Sequence, residues 1–355
     1  MSVEAFHGGA FFEAIGVDLR HLERSESVIS ADVLDAWFDP SPRVIATLRE
    51  YLPFLLRTSP PNHAEGFVAE VARWRGVPAE CVLPGSGSSS LLFACLPRLL
   101  RPGCRALLLD PMYSEYEHIA GNLLRGEVLR HELSAERAFE VDPEALLADV
   151  CRLRPDALLL VNPNNPTGQI WPRPAILAFL EQIPPEVRVV VDETYLEYVG
   201  AAESLEGEAA RRRNLVVIKS MSKVYALSGA RVAYMVAHPE TAEELRPWLP
   251  PWPVGLLAQA AAMEALRDPG YYAARYAETH TLRAELTARL ARLSPFPSRA
   301  NYFLVRPPDA AALAARLRRQ DIFVREFGSG LLAGRFLRIT VKNAAQNARL
   351  AEAMS

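Results

Sequence analysis

Residues 215–231 read LVVIKSMSKVYALSGAR. The first four, Leu215 to Ile218, form a short apolar run rich in β-branched residues. Such a run reads as a strand buried on both faces. Directly after it stand Ser220, Ser222 and Lys223, and Arg231 closes the stretch. The same pattern recurs three times upstream. Ala106–Leu109 precede DPMY, Ala157–Val161 precede NPNNPTG, and Val187–Val191 precede DETY. Helical spacing lies between them, as in EHIAGNLLRG and PRPAILAFLEQI. Strand, polar loop, helix, strand is the pattern of an α/β protein with an open, mostly parallel sheet. Ligands of such sheets bind outside the carboxyl ends of the strands, so the four polar loops are expected on one edge.

Beyond about residue 265 the texture changes. YYAARYAETHTLRAELTARLARL has the spacing of a long amphipathic helix. ANYFLVR, IFVREF and FLRITVK alternate more and predict a half-exposed sheet in a second, smaller α+β domain. With 355 residues, two domains are expected. The boundaries predicted are an N-terminal arm with part of the small domain over 1–45, a large domain over 46–268, and a small C-terminal domain over 269–355.

The bulk numbers exclude several classes. A net charge of −3 gives no sign of nucleic acid or anionic membrane as a partner. No stretch is apolar and long enough for a bilayer span. The start, MSVEAFHGGAFFEAIG, carries Glu4 and Glu13 and lacks a cationic leader, so a cytoplasmic protein is expected. Cys81, Cys95, Cys104 and Cys151 stand singly, without CxxC spacing or clustered histidines, and predict reduced core thiols and no metal site.

The polar loops carry a specific set of parts. VVVDETY puts Asp192 at a strand end, with Tyr195 after it. NPNNPTG centres on Asn165. PGSGSSSLL leads through Gly87, Ser88 and Ser89 into an apolar helix pattern, and helix N-termini seat anions. Alone, GSGSSS reads as a flexible turn; its place before LLFACLPRLL turns it into an anion seat. Ser220, Ser222 and Arg231 add phosphate-type ligands, and Tyr113 in DPMY adds an aromatic ring. A phosphorylated heteroaromatic aldehyde needs this list: a lysine to form a Schiff base, a carboxylate to pair with the pyridinium nitrogen, and a cup for the phosphate.

With NPNNPTG, DETYLEY, SMSK…SGAR and FLRITV in this order and spacing, the chain from about Asp32 onward resembles the fold-type I pyridoxal-phosphate enzymes of aminotransferase class I/II. The branch it resembles is that of histidinol-phosphate aminotransferase and threonine-phosphate decarboxylase. The resemblance implies pyridoxal 5'-phosphate as cofactor, a homodimer, and transamination of an amino acid or amino-alcohol phosphate with a 2-oxo acid. It makes Lys223 the Schiff-base lysine and proton carrier at the substrate Cα. Asp192 becomes the partner of the ring nitrogen, Tyr195 and Asn165 the donors to the ring 3-oxygen, and Tyr113 the stacking ring. Gly87, Ser88, Ser89, Ser220, Ser222 and Arg231 form the phosphate cup. Arg338, in FLRITV, clamps the substrate carboxylate, and Arg325, in FVREF, reaches a substrate phosphate. The same lysine, aspartate and cup serve decarboxylation, elimination or cyclisation, and oxidation in other members, so the pocket selects the reaction.

The chain departs from the branch in two places. Where relatives carry an NENPFGP-like segment, this chain has LDAWFDPSP, with Trp37 for proline and Asp39 for glycine. Where they carry a YPDP-like string whose tyrosine crosses the dimer, TSPPNHAEG puts Ser59. The added acids Asp35 and Asp39 suggest a cationic substrate side chain, and HGGAFFEAIG is a candidate lid or packing arm. A non-catalytic regulator on this fold would need a DNA-binding domain, for which the stretch before Asp32 is too short.

Overall fold

The computed structural model describes residues 8–355; residues 1–7, including His7 of HGGAFFEAIG, lie outside them. Among the described residues eleven strands form two sheets. In chain order they are β1 (Ile29–Ala31), β2 (Val82–Gly85), β3 (Arg105–Asp110), β4 (Glu127–Glu132), β5 (Ala157–Val161), β6 (Arg188–Asp192), β7 (Leu215–Ser220), β8 (Ala233–Ala237), β9 (Tyr302–Val305), β10 (Ile322–Glu326) and β11 (Leu337–Thr340). The large sheet has the order β2-β8-β7-β6-β5-β3-β4. Strands β7, β6, β5, β3 and β4 run parallel, while β8 runs antiparallel to both β2 and β7.

The middle of each central strand is apolar because both faces are covered. Leu158, Leu160, Val189, Val191, Leu215 and Val217 enter one core, and Leu159, Val190, Val216 and Ile218 enter the core on the opposite face. Each such side chain contributes about 1.5–3 kcal/mol relative to leaving it exposed. Nothing is left on these strands for polar residues except their ends. The edge strand β4 does alternate, and its exposed positions are polar.

The small sheet has the order β1-β10-β11-β9. Strand β1, from the amino-terminal part of the chain, pairs parallel with β10. The long helix Pro269–Arg289 covers this sheet through Leu282 and Leu286, which meet Phe303, Val305, Leu337 and Ile339. The strands were expected to be half exposed, but β9 and β11 are buried throughout. Their alternation separates two buried settings. Phe303 and Val305 face the helices, whereas Tyr302 and Leu304 join the core of the large domain. Two further expectations change. EHIAGNLLRG widens into a π turn over His118–Leu123 instead of a regular helix. Cys151 is exposed on the helix Pro143–Leu153, while Cys81, Cys95 and Cys104 are buried.

Candidate active site

The carboxyl ends of β3, β5, β6 and β7 open onto a cavity of about 1050 Å³, closed from the other side by residues of β10 and β11. The polar loops after all four strands line it, as the strand pattern requires. Lys223 stands in the single helical turn Met221–Val224 that follows β7. Its Nζ lies 2.6 Å from Asp35 Oδ1 and 3.4 Å from Ser228 Oγ.

Asp192 ends β6 and is 4% exposed. Its Oδ1 accepts hydrogen bonds from Thr194 N at 2.9 Å and Thr194 Oγ1 at 2.5 Å, and its Oδ2 accepts from Tyr116 Oη at 3.0 Å. Burial pushes this carboxyl up even though Thr194 and Tyr116 pull it down. A cation seated against it would offset that burial, which is what a protonated ring nitrogen brings. Tyr116 and Thr194 carried no role in the sequence reading. Thr194 had a signal, a hydroxyl two residues after an aspartate; Tyr116 had none beyond its place in DPMYSEY.

The phosphate-type residues meet at the start of the helix Ser88–Leu99. Gly87 is its N-cap residue, at φ +85°, and a Cβ there would come 2.4 Å from Arg231 Nη2. Only glycine lets the guanidinium lie over the helix N-terminus. Arg231 Nη1 donates to Ser222 Oγ at 3.2 Å, and Ser220 caps the turn by accepting from Ser222 N at 3.3 Å. Ser88, Ser89, Ser220, Ser222 and Arg231 line the cavity here. The helix N-terminus, four serine hydroxyls and a guanidinium form a cradle suited to a phosphate.

On the opposite wall, Arg338 is 8% exposed. Its Nη1 donates to Asn165 Oδ1 at 2.8 Å, and its Nη2 donates to the Asp32 carbonyl at 2.7 Å. Because Asn165 Oδ1 faces the arginine, its amide NH2 is the group left for the cavity. Burial lowers the pKa of Arg338, and Nε is buried without a hydrogen-bond partner among the described residues. Arg325 is its cross-strand neighbour, in register across β10 and β11. Burial and the adjacent Arg338 pull Arg325 down to about 10. Like charges placed directly opposite on a sheet repel, and the Asp32 carboxylate acts on both guanidiniums in the opposite sense. Tyr195 packs edge-on against Tyr302 at 5.0 Å between ring centres, and burial pushes its phenol up. Tyr113, whose Oη lies 3.3 Å from Glu115 Oε2, lines the same space.

Neither of the two acids singled out in the sequence is among the residues that line the cavity. Asp39 is exposed, and Asp35 is engaged with Lys223. Ser59 is exposed and does not line the cavity of its own chain. From the amino-terminal arm, Gly8 lines the cavity, and Asp32 Oδ2 accepts from Gly9 N at 2.8 Å and Ala10 N at 3.1 Å. Asp32 therefore ties the arm to Arg338. Among the described residues no helix is long and apolar enough to cross a membrane, and no group of acids, histidines and cysteines is placed to hold a metal.

The family profile described as aminotransferase class I and II matches residues 34–354. The histidinol-phosphate aminotransferase of Chromobacterium violaceum is 32% identical over 354 residues, covering 96% of this chain and 96% of that protein. Two solved structures share the fold. One, histidinol-phosphate aminotransferase from Sinorhizobium meliloti in complex with pyridoxal-5'-phosphate, has a TM-score of 0.85 and 24% identity, over 99% of this chain and 94% of that one. The other, L-threonine-O-3-phosphate decarboxylase from Porphyromonas gingivalis, has a TM-score of 0.79 and 24% identity, over 92% and 97%.

Proposed function

The chain belongs to the aminotransferase class I and II family and is a pyridoxal-phosphate-dependent aminotransferase of fold type I, and on that premise we propose that it moves an amino group from a phosphorylated amino alcohol, of the histidinol-phosphate kind, to a 2-oxo acid. The observation that carries the substrate class is the pair Arg325 and Arg338, opposite each other across β10 and β11 in the cavity that also holds Lys223. One guanidinium suffices for a carboxylate; two side by side suit a phosphate on the amino donor and the carboxylates of the oxo acid in turn.

When bound, the cofactor supplies an aldehyde that condenses with amines and a cationic ring that draws electrons from a bond at Cα. The residues supply the rest. Lys223 holds the aldehyde and carries the proton that leaves the substrate Cα. Asp192, fixed by Thr194 and Tyr116, keeps a proton on the ring nitrogen. Asn165 and Tyr195 would hydrogen-bond the cofactor's ring oxygen, and Tyr113 would pack on the ring. Gly87, Ser88, Ser89, Ser220, Ser222 and Arg231 seat the phosphate. Arg338 would hold the donor's anionic group and so orient its Cα–H bond toward Lys223. In this reading 1–45 supply an N-terminal arm and part of the small domain, 46–268 the cofactor-binding domain and 269–355 the small C-terminal domain, in a cytoplasmic homodimer.

The test is a half-reaction with a panel of amino donors. Histidinol phosphate is expected to discharge the visible absorbance of the bound cofactor faster than histidinol or any standard amino acid, with an oxo product by mass. Release of carbon dioxide from an amino acid, or no preference for phosphorylated donors, sinks the proposal.

A further inference from the structure

Asp35 lies on the segment between β1 and the helix Pro42–Arg57, and it meets the tip of Lys223. Its Oδ1 is 2.6 Å from Lys223 Nζ and 2.6 Å from Ser228 Oγ, and Ser228 Oγ is 3.4 Å from the same Nζ. Asp35, Ser228 and the lysine amine thus close a three-membered ring of contacts. The charged groups facing Asp35 are Lys223, from the turn after β7, and Lys342, which follows β11. Lys342 is buried, and Asp32 and Asp35 are the carboxylates that offset its burial. Burial of Asp35 is outweighed by Lys223, Ser228 and Lys342, which hold its carboxyl below the ordinary range.

We propose that Asp35 is a positioning residue for Lys223: it receives the amine each time the lysine leaves the cofactor, and its charge favours a proton on the nitrogen while the lysine is joined to the cofactor. This rests on the reading of Lys223 as the residue that holds the cofactor. The amine of an incoming donor replaces Lys223 on the aldehyde carbon, exchanging one C=N bond for another with no change of oxidation state. The lysine leaves as a free amine on a long, flexible side chain. A carboxylate 2.6 Å away holds that amine at the site, close to the Cα proton it must handle next. Aspartate is short, and Ser228 fixes its direction, so the anion stays in place while the lysine moves. Asp35 comes from the amino-terminal segment, so the docking of that segment becomes part of the reaction machinery.

The experiment uses holoenzyme reconstituted with pyridoxal phosphate. The pH midpoint of the visible absorbance change of the bound cofactor is measured for the parent, Asp35→Asn and Asp35→Glu. Removing an anion disfavours a cation beside it, so Asp35→Asn is expected to lower the midpoint by roughly one unit. Asp35→Glu restores the charge and is expected to recover most of that shift, which a merely structural role for Asp35 would not predict. If Asp35→Asn does not fold, Asp35→Ser is measured with the same expected shift. A midpoint that stays at the parent value in the neutral variant overturns the proposal, as does a shift that glutamate leaves untouched. Borohydride fixing the cofactor to a residue other than Lys223 removes the underlying assignment instead, whatever Asp35 does.

Discussion

Arg338 and Arg325 share a sheet face, and the proposed function gives them different tasks. Arg338 is locked by Asn165 and the Asp32 carbonyl, so its fork points one way before any substrate arrives. Lysine cannot reproduce that fork. Arg338→Lys is therefore expected to lower kcat/KM for every donor by about 10- to 100-fold, the range of one charge-assisted hydrogen bond at about 1.5–3 kcal/mol. Arg325→Gln is expected to act selectively, lowering kcat/KM for phosphorylated donors by a similar factor and leaving glutamate within about threefold. Paired kinetics on both donor types check this, and equal losses on both would merge the two roles. At this scale the sequence was legible wherever a residue sat in a loop after an apolar run. Lys223, Asp192, Asn165 and Arg231 all occupy the space that their loops imply. What it could not disclose were side chains meeting across the fold. Tyr116 reaches Asp192 over 76 positions and Asp35 reaches Lys223 over 188, and no local pattern encodes either distance.

The ends of β6 and β7 are held by charges beneath the site. Lys219 Nζ lies 3.2 Å from Glu193 and 2.8 Å from Glu197, and Arg75 Nη2 lies 2.6 Å from Glu197. Glu206 completes the group, and all of it is buried. Lys219→Met would leave three buried carboxylates facing one arginine. The expected loss is about 3–5 kcal/mol, read as a lowered denaturant midpoint, because an uncompensated buried charge costs more than the pair gains. The acid limb carries a second signature. Burial pushes Glu197 up, but Lys219 and Arg75 outweigh it and hold it at about 2. A carboxyl lowered on folding adds stability above its unfolded value near 4.5 and loses it as pH falls toward 2. Stability of the parent is expected to fall across that window, and the limb should flatten in Lys219→Met. An unchanged limb would show that Glu197 owes its acidity to something else. Elements, too, differed in legibility. β3, β5, β6 and β7 announce themselves as apolar runs because both faces are covered. β1 has three residues, and the reversed direction of β8 is a property of its neighbours, so neither leaves a local mark.

For the whole molecule, the open question on the surface is the helix Pro42–Arg57. Val44 and Leu55 are buried, yet Tyr51, Leu52, Phe54 and Leu56 are exposed, with Leu56 at 69%. Ser59 follows directly, and Trp252, also exposed, donates its backbone N–H to the Asn62 carbonyl at 3.0 Å. A run of large apolar side chains beside a proline-stiffened loop marks a surface meant to be covered. A second copy of the chain is the occupant expected from the dimer reading. A stable interface of that kind buries about 1,200–2,000 Å² in total, and charges placed at its centre stay unpaired on burial. The parent protein is therefore expected to scatter light as a dimer, and Leu52→Asp with Leu56→Asp to scatter as a monomer at the same concentration. Both substitutions lie on solvent-facing positions, so the monomer should keep its circular dichroism. If a partner segment near Ser59 helps to close the phosphate cup, the monomer should also release cofactor faster on dilution. A doubly charged variant that still elutes as a dimer would move the interface off this helix and leave its apolar row unexplained.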